Sequence, residues 1–218
     1  MGLEAVIFDL DGTLVDNNPF HLKAWKQYLI NIGRELSEEE YKKNFNGRTN
    51  KDVVEYIYER KMTDEEARPF YLNKEALYRE IYQPFIAPIP GLLDFLNEVD
   101  EAGIPMAIAT SGITVNIDFM FEHIPIKQYF KAVIHSSHIK KGKPDPEIYL
   151  KTAEVLGVDP SKCIVFEDAL VGIQSANGAG MKVIGLTTSH TPEELKEADS
   201  VIHDYTEINV SKIDKLIG

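Results

Sequence analysis

Apolar and polar positions along this chain follow two rhythms. Short runs of β-favouring residues, such as Ala5-Val6-Ile7-Phe8, end in polar or glycine-containing loops. Between them, apolar residues recur every three or four positions. The first rhythm predicts strands at residues 4–9, 104–110, 132–135, 163–166 and 183–186, and a shorter one at 201–203. The second predicts helices. Leu92, Phe95, Leu96 and Val99 share one helical face, with Pro90-Gly91 before it and Gly103 after it. Asp145 is placed to cap a helix through Ile148, Tyr149, Thr152 and Leu156, which Gly157 suits as a stop. A third helix spans 169–179 and closes at Gly180. Strand and helix in alternation predict an α/β fold, a Rossmann-like parallel sheet covered on both faces.

Residues 18–87 break the alternation. They hold no convincing strand and three apolar stripes of helical period. These are Leu22, Trp25, Leu29 and Ile32; then Val53, Val54, Ile57 and Tyr58; then Ala67, Phe70, Tyr71, Leu77, Tyr78 and Ile81. The segment reads as an all-α helical cap inserted after the first strand's loop. That divides the chain into an α/β core, 1–17 with 88–218, and a cap, 18–87. The junctions near Asp16-Asn17 and 84–90 are two chain crossings able to act as a hinge.

Composition narrows the class. A chain of 218 residues with 44% hydrophobic and 27% charged residues is an ordinary soluble protein. No apolar run approaches the ~20 residues of a membrane helix. Glu4 and Asp9 interrupt the N-terminal apolar stretch, which does not read as a signal peptide. The single cysteine, Cys163, opens an apolar run and reads as a buried thiol rather than a nucleophile. Cytoplasm and a monomer are the expected setting. A net charge of −12 excludes a broad nucleic-acid surface, which needs clustered Lys and Arg. It does not exclude a small phosphorylated substrate, because a metal and a few cations reverse the potential inside one cleft.

Ligands of α/β sheets bind beyond the carboxyl ends of the strands. Asp9 and Asp11 lie at that end of the first strand, in Asp9-Leu10-Asp11-Gly12-Thr13. Such a pair suits Mg²⁺, which takes hard oxygen ligands, and a carboxylate can also attack phosphorus. The alternative is an Asx turn that caps a helix. Thr110-Ser111-Gly112 ends the second strand and offers a hydroxyl and backbone N–H groups to phosphate oxygens. Taken alone it is a helix cap. Lys143, alone, is a solvated charge like Lys140 and Lys141. Glu167-Asp168 ends the strand at 163–166 and, alone, is another cap. The order acid pair, hydroxyl, lysine, acid pair at successive strand ends is hard to explain as four caps.

On these residues the chain resembles the haloacid dehalogenase superfamily of phosphohydrolases over essentially its whole length. Phe8-Asp9-Leu10-Asp11-Gly12-Thr13-Leu14 is similar to the family's first motif. Thr110-Ser111-Gly112, Gly142-Lys143-Pro144 and Phe166-Glu167-Asp168 are similar to the next three, in order. The insert resembles the cap of the β-phosphoglucomutase-like branch, through the segments that hold His21 and Trp25 and through Gly47-Arg48-Thr49-Asn50-Lys51-Asp52. The resemblance implies a two-step reaction in which Asp9 attacks phosphorus. Asp11 then protonates the leaving oxygen and later deprotonates the attacking water. It also implies Mg²⁺ held by Asp9, the Asp11 carbonyl and Asp168, with Glu167 acting through water. Thr110, Ser111, Gly112 and Lys143 are implied as the phosphate cradle.

The cap separates two enzymes. A β-phosphoglucomutase must grip a second phosphate from its cap with basic residues. The position corresponding most closely to that branch's arginine is Asn50 here, although Arg48 lies nearby. A phosphatase of a small phosphorylated metabolite, such as a sugar phosphate, is therefore expected, with the mutase as the second reading. A ligand-binding relative without catalysis should have lost Asp9 or Asp11, and this chain keeps both. A haloacid dehalogenase needs no Mg²⁺, which the acid pairs argue against. His21 either couples Asp11 to the cap or packs beside Trp25, and Trp25 is expected in the cap core.

Overall fold

A computed structural model describes residues 2–218. The predicted strands appear as β1 (Ala5–Phe8), β2 (Met106–Ala109), β3 (Phe130–Ile134), β4 (Cys163–Glu167), β5 (Lys182–Leu186) and β6 (Ser200–Ile202). They form one parallel sheet in the order β3-β2-β1-β4-β5-β6. The α/β expectation is borne out. The central strands β1, β2 and β4 are buried along their whole length, as their uninterrupted apolar runs require. The order reverses direction between β1 and β4. Beyond their carboxyl ends lies the crevice where such sheets bind ligands.

The intervening helices are α1 (Asn18–Asn31), α2 (Glu38–Asn44), α3 (Asn50–Tyr58), α4 (Asp64–Tyr82), α5 (Leu92–Glu101), α6 (Thr114–His123), α7 (Glu147–Leu156), α8 (Leu170–Gly178) and α9 (Val210–Ile217). Gly91 stands just before α5 and Gly157 just after α7, as expected. Helix α7 starts after Pro146 rather than on an Asp145 cap. The Asp145 carboxylate does accept the backbone N–H of Glu147 at 3.1 Å, so the proline shifts the start without removing the turn. Helices α6 and α9 were not anticipated; α9 is short but carries Val210, Ile213, Leu216 and Ile217 on one face.

Helices α1 to α4 stand over the carboxyl edge of the sheet. Trp25, Leu29, Tyr41, Phe45, Val53, Val54, Ile57 and Ala67 form an apolar cluster of their own. Thr63 and Glu66 close a capping box that starts α4. The lower parts of α1 and α4 join the main core instead, through Ala24, Tyr78 and Tyr82. The two chain crossings run side by side. Val15 pairs with Pro88, and the Ile89 N–H donates to the Leu14 carbonyl at 3.1 Å. No helix among the described residues is long and apolar enough to cross a membrane.

Candidate active site

The loop after β1 turns sharply because Gly12 adopts φ +77°. A side chain there would also collide, since a Cβ would lie 2.3 Å from Asp168 Oδ2. The loop therefore sits against the end of β4. Gly12 N–H donates to Asn17 Oδ1 at 3.1 Å, and Asn17 Nδ2 donates to Asp11 Oδ1 at 2.5 Å. The Asp11 carboxylate is thus aimed by its own loop.

Lys143 comes from the loop before α7, yet it is only 1% exposed. The reading of a solvated charge is corrected here. Its Nζ donates to Asp9 Oδ1 at 2.7 Å and also to Glu167 Oε1. Glu167 Oε1 additionally accepts from Tyr149 Oη at 2.9 Å, and Oε2 accepts from the Ala169 N–H at 2.9 Å. Both Glu167 oxygens are therefore held by protein donors. Asp168 Oδ2 accepts from Asn18 Nδ2 at 2.9 Å and from the Ser189 hydroxyl.

Asp9, Glu167 and Asp168 each offer a carboxylate oxygen within 4.8 Å of the others, and all three are buried. Burial raises the Asp9 carboxyl to about 8; Glu167 and Asp11 add to the rise, while Lys143 opposes it. Asp168 is raised for the same reasons, burial first and then the charges of Glu167 and Asp9. Asp11 differs. Burial would raise it, but the His21 ring and the Asn17 amide outweigh that and hold it below the ordinary carboxylate range. Desolvating ions costs several kcal/mol each, so this cluster is poor as a stabilising device. Hard oxygen donors crowded against one another, with acids pushed up by burial and then by mutual repulsion, fit a divalent cation such as Mg²⁺.

Thr110 and Ser111 follow β2. Thr110 Oγ1 accepts the Gly112 N–H at 3.0 Å, and Ser111 Oγ donates to the Gly47 carbonyl at 2.8 Å. That second bond joins the sheet edge to the helical segment above. The space between them is a cavity of about 50 Å³ lined by Asp9, Asp11, Ser111, Arg48, Asn50 and Glu75, among others.

His21 is not packed on Trp25. Its ring stacks on Tyr78 at 3.7 Å between centroids, its Nε2 is 3.6 Å from Asp11 Oδ1, and its Nδ1 is 2.8 Å from Lys74 Nζ. Trp25 lines the cavity while buried in the helical cluster, with Lys74 Nζ 4.7 Å from its ring. Arg48 lines both the cavity and an open groove outside it. Asn50 stands at the start of α3 and donates to Glu75 Oε1 at 2.7 Å.

Lys74, Glu75, Asn116, Asn17, Asn18 and Ser189 escaped the sequence reading. One signal was present. Lys74 falls four residues after Phe70 and four before Tyr78, on a stripe that is otherwise apolar. A charge at such a position needs a buried partner. Nothing local marks Asn116 or Ser189.

A sequence model of the family described as Haloacid dehalogenase-like hydrolase matches residues 6–186. The fructose-1-phosphate phosphatase YqaB of Escherichia coli is 32% identical over 179 residues, covering 82% of this chain and 94% of that protein. The β-phosphoglucomutase of Bacillus subtilis is 30% identical over 195 residues, covering 84% and 83%. The crystal structure of a HAD hydrolase of family IA, variant 3, from Entamoeba histolytica superposes with a TM-score of 0.87. It is 38% identical and covers 99% of both chains. This chain belongs to the haloacid dehalogenase-like hydrolase family, and it is an enzyme of that hydrolase type.

Proposed function

We propose that this enzyme is a Mg²⁺-dependent phosphatase of a small phosphorylated metabolite, of the sugar phosphate class, working through an aspartyl phosphate on Asp9. One observation carries the reading. Asp9, Asp11 and Ser111 line one cavity, and Lys143 and Asp168, from two further loops at the same sheet edge, gather on Asp9. The similarity to a fructose-1-phosphate phosphatase supports the substrate class.

Asp9, the backbone carbonyl of Asp11 and Asp168 would hold Mg²⁺, and Glu167 would act through water. When bound, the ion neutralises the charge of the transferring phosphoryl group. An Asp9 oxygen attacks phosphorus as the bond to the leaving oxygen breaks. Asp11, a carboxylate in the resting site, takes up a proton as substrate binds and gives it to that oxygen. It then takes a proton from the water that attacks the aspartyl phosphate, releasing phosphate and restoring both acids. Asn17 and His21 keep the Asp11 carboxylate oriented through both steps. Lys143 and the Thr110-Ser111-Gly112 turn bind the phosphoryl oxygens.

Residues 18–87 act as the cap and 1–17 with 88–218 as the core. A cavity of about 50 Å³ holds only a few waters, so a sugar phosphate needs the cap to move outward. The paired crossings at Val15 and Pro88 are the hinge about which it moves. The mutase remains the second reading because Arg48 borders the cavity.

Asp9→Asn is the direct test. It should lower Mg²⁺-dependent hydrolysis of an aryl phosphate by roughly 10⁴-fold or more. Wild-type turnover in this variant would sink the nucleophile assignment. For the second reading, β-glucose 1-phosphate is followed for both free phosphate and glucose 6-phosphate. Predominant glucose 6-phosphate would make the enzyme a mutase.

A further inference from the structure

Two adjacent charged residues in the middle of α4 form part of the cavity wall on the cap side. Lys74 and Glu75 are 3% and 2% exposed. Aliphatic residues would close the same helix face without the desolvation that two buried ions demand. The partners of Glu75 fix it from three elements. Its Oε1 accepts from Lys74 Nζ at 2.9 Å and from Asn50 Nδ2 at 2.7 Å. Its Oε2 accepts from Asn116 Nδ2 at 2.8 Å, a bond from α6 of the core to the cap. Asn116 is itself oriented, because its Oδ1 accepts from Arg79 Nη1 at 2.7 Å.

These bonds determine what the wall can offer a substrate. Two of the three Lys74 ammonium donors are taken by Glu75 and His21. Both polar atoms of Asn116 are engaged. The wall keeps acceptor capacity on Glu75 Oε2 and on Asn50 Oδ1. Arg48 is the remaining cation along the lining, and it also borders the open groove outside. A hydroxyl group can donate to such a wall. A phosphate dianion cannot, and Glu75 Oε2, the oxygen not paired with Lys74, repels it.

We propose that Glu75 is a specificity-determining residue. It accepts hydrogen bonds from the hydroxyls of an uncharged polyhydroxylated leaving group and excludes substrates that carry a second phosphate. This rests on the phosphatase reading above and deepens it. It also gives a physical reason for hydrolysis over mutase chemistry, since the mutase must hold a second phosphate in the cap.

The test uses the Mg²⁺-loaded enzyme and three probes: a hexose monophosphate, the corresponding hexose bisphosphate and an aryl phosphate. Ratios of kcat/KM are taken within one preparation, so differences in active fraction cancel. The wild type should prefer monophosphate over bisphosphate by about 100-fold. Glu75→Gln keeps the shape and removes the charge. It should narrow that ratio by about tenfold or more, through a lower KM for the bisphosphate. Asn116→Ala keeps the charge but frees the carboxylate. It should reduce the preference for the hexose monophosphate over the aryl phosphate several-fold, while still excluding the bisphosphate.

A bisphosphate ratio that stays within twofold of wild type in a folded Glu75→Gln enzyme overturns the inference. Should that variant fail to fold, an unchanged monophosphate preference in Asn116→Ala overturns it instead. Failure of the parent reading looks different: the wild type itself then releases no phosphate from the aryl phosphate.

Discussion

Lys143 Nζ donates a 2.7 Å hydrogen bond to Asp9 Oδ1 across 134 positions of sequence. The same ammonium bonds Glu167, so one cation lies between two buried carboxylates, with Asp168 close by. Burial would lower the Lys143 amine, but Asp9 and Glu167 outweigh it and hold it well above its ordinary value. One cation among three acids leaves a deficit of positive charge. That deficit is the electrostatic reason the cluster suits a divalent ion and a phosphoryl group.

The metal therefore has a stability signature. Mg²⁺ at about 100 times its Kd should add about 2.7 kcal/mol, a rise in melting temperature of roughly 5–10 °C for a domain of this size. Asp168→Asn should lose most of that increment. Thermal melts with Mg²⁺ and with a chelator measure it. An undiminished increment in the variant would remove Asp168 from the ligand set.

Asp11→Asn should let the first chemical step outrun the second. With a labelled phosphoryl donor, acid quenching should trap phosphoenzyme that wild type does not accumulate. Hydrolysis of that species should slow by about 10²–10⁴-fold. If labelled protein never accumulates and turnover holds, Asp11 is not the base.

Gly47 adopts φ +73°, and a Cβ there would lie 2.7 Å from the Ala169 Cβ and 2.8 Å from Val171 Cγ2. Gly47→Ala should therefore hold the cap away from the core and break the bond from Ser111. A misplacement of this size should cost about 10²-fold in kcat/KM, and the strain of alanine at positive φ should lower the melting temperature by about 2–8 °C. Unaltered kinetics would show that closure tolerates the methyl group.

Cys163 gives a pH-dependent prediction. Burial first, then the charges of Glu4 and Asp159, push its thiol up to about 12. A raised pKa means that the folded chain keeps its proton where the unfolded chain, near 8.5, has lost it. This contribution to stability is complete below about pH 8.5 and is lost as pH rises toward 12. At pH 8 a thiol reagent should modify Cys163 only in denaturant. Cys163→Ala should flatten the alkaline decline of the urea midpoint. Rapid labelling of the native protein would contradict the burial.

Much was legible locally. The strands announced themselves because buried central strands must be continuously apolar. The acids announced themselves because carboxylates at strand ends make poor packing. Lys143 was legible only through resemblance, since a lysine in a Gly-Pro loop looks the same whether solvated or buried. Lys74 carried a faint mark as a charge on an apolar stripe. Asn116 and Ser189 carried none.

The sequence by itself determined the parallel α/β core and the helical segment that follows the first strand, because apolar period is a local property. Only the tertiary structure decided that Asn17 and His21 aim Asp11, that Gly47 meets Ser111, and that Glu75 lines the cavity between Asn50 and Asn116. The contacts of Ser111 with Gly47 and of Glu75 with Asn116 join residues 64 and 41 positions apart. No local pattern encodes such pairings; they exist only once the sheet edge and the helical segment close on one another.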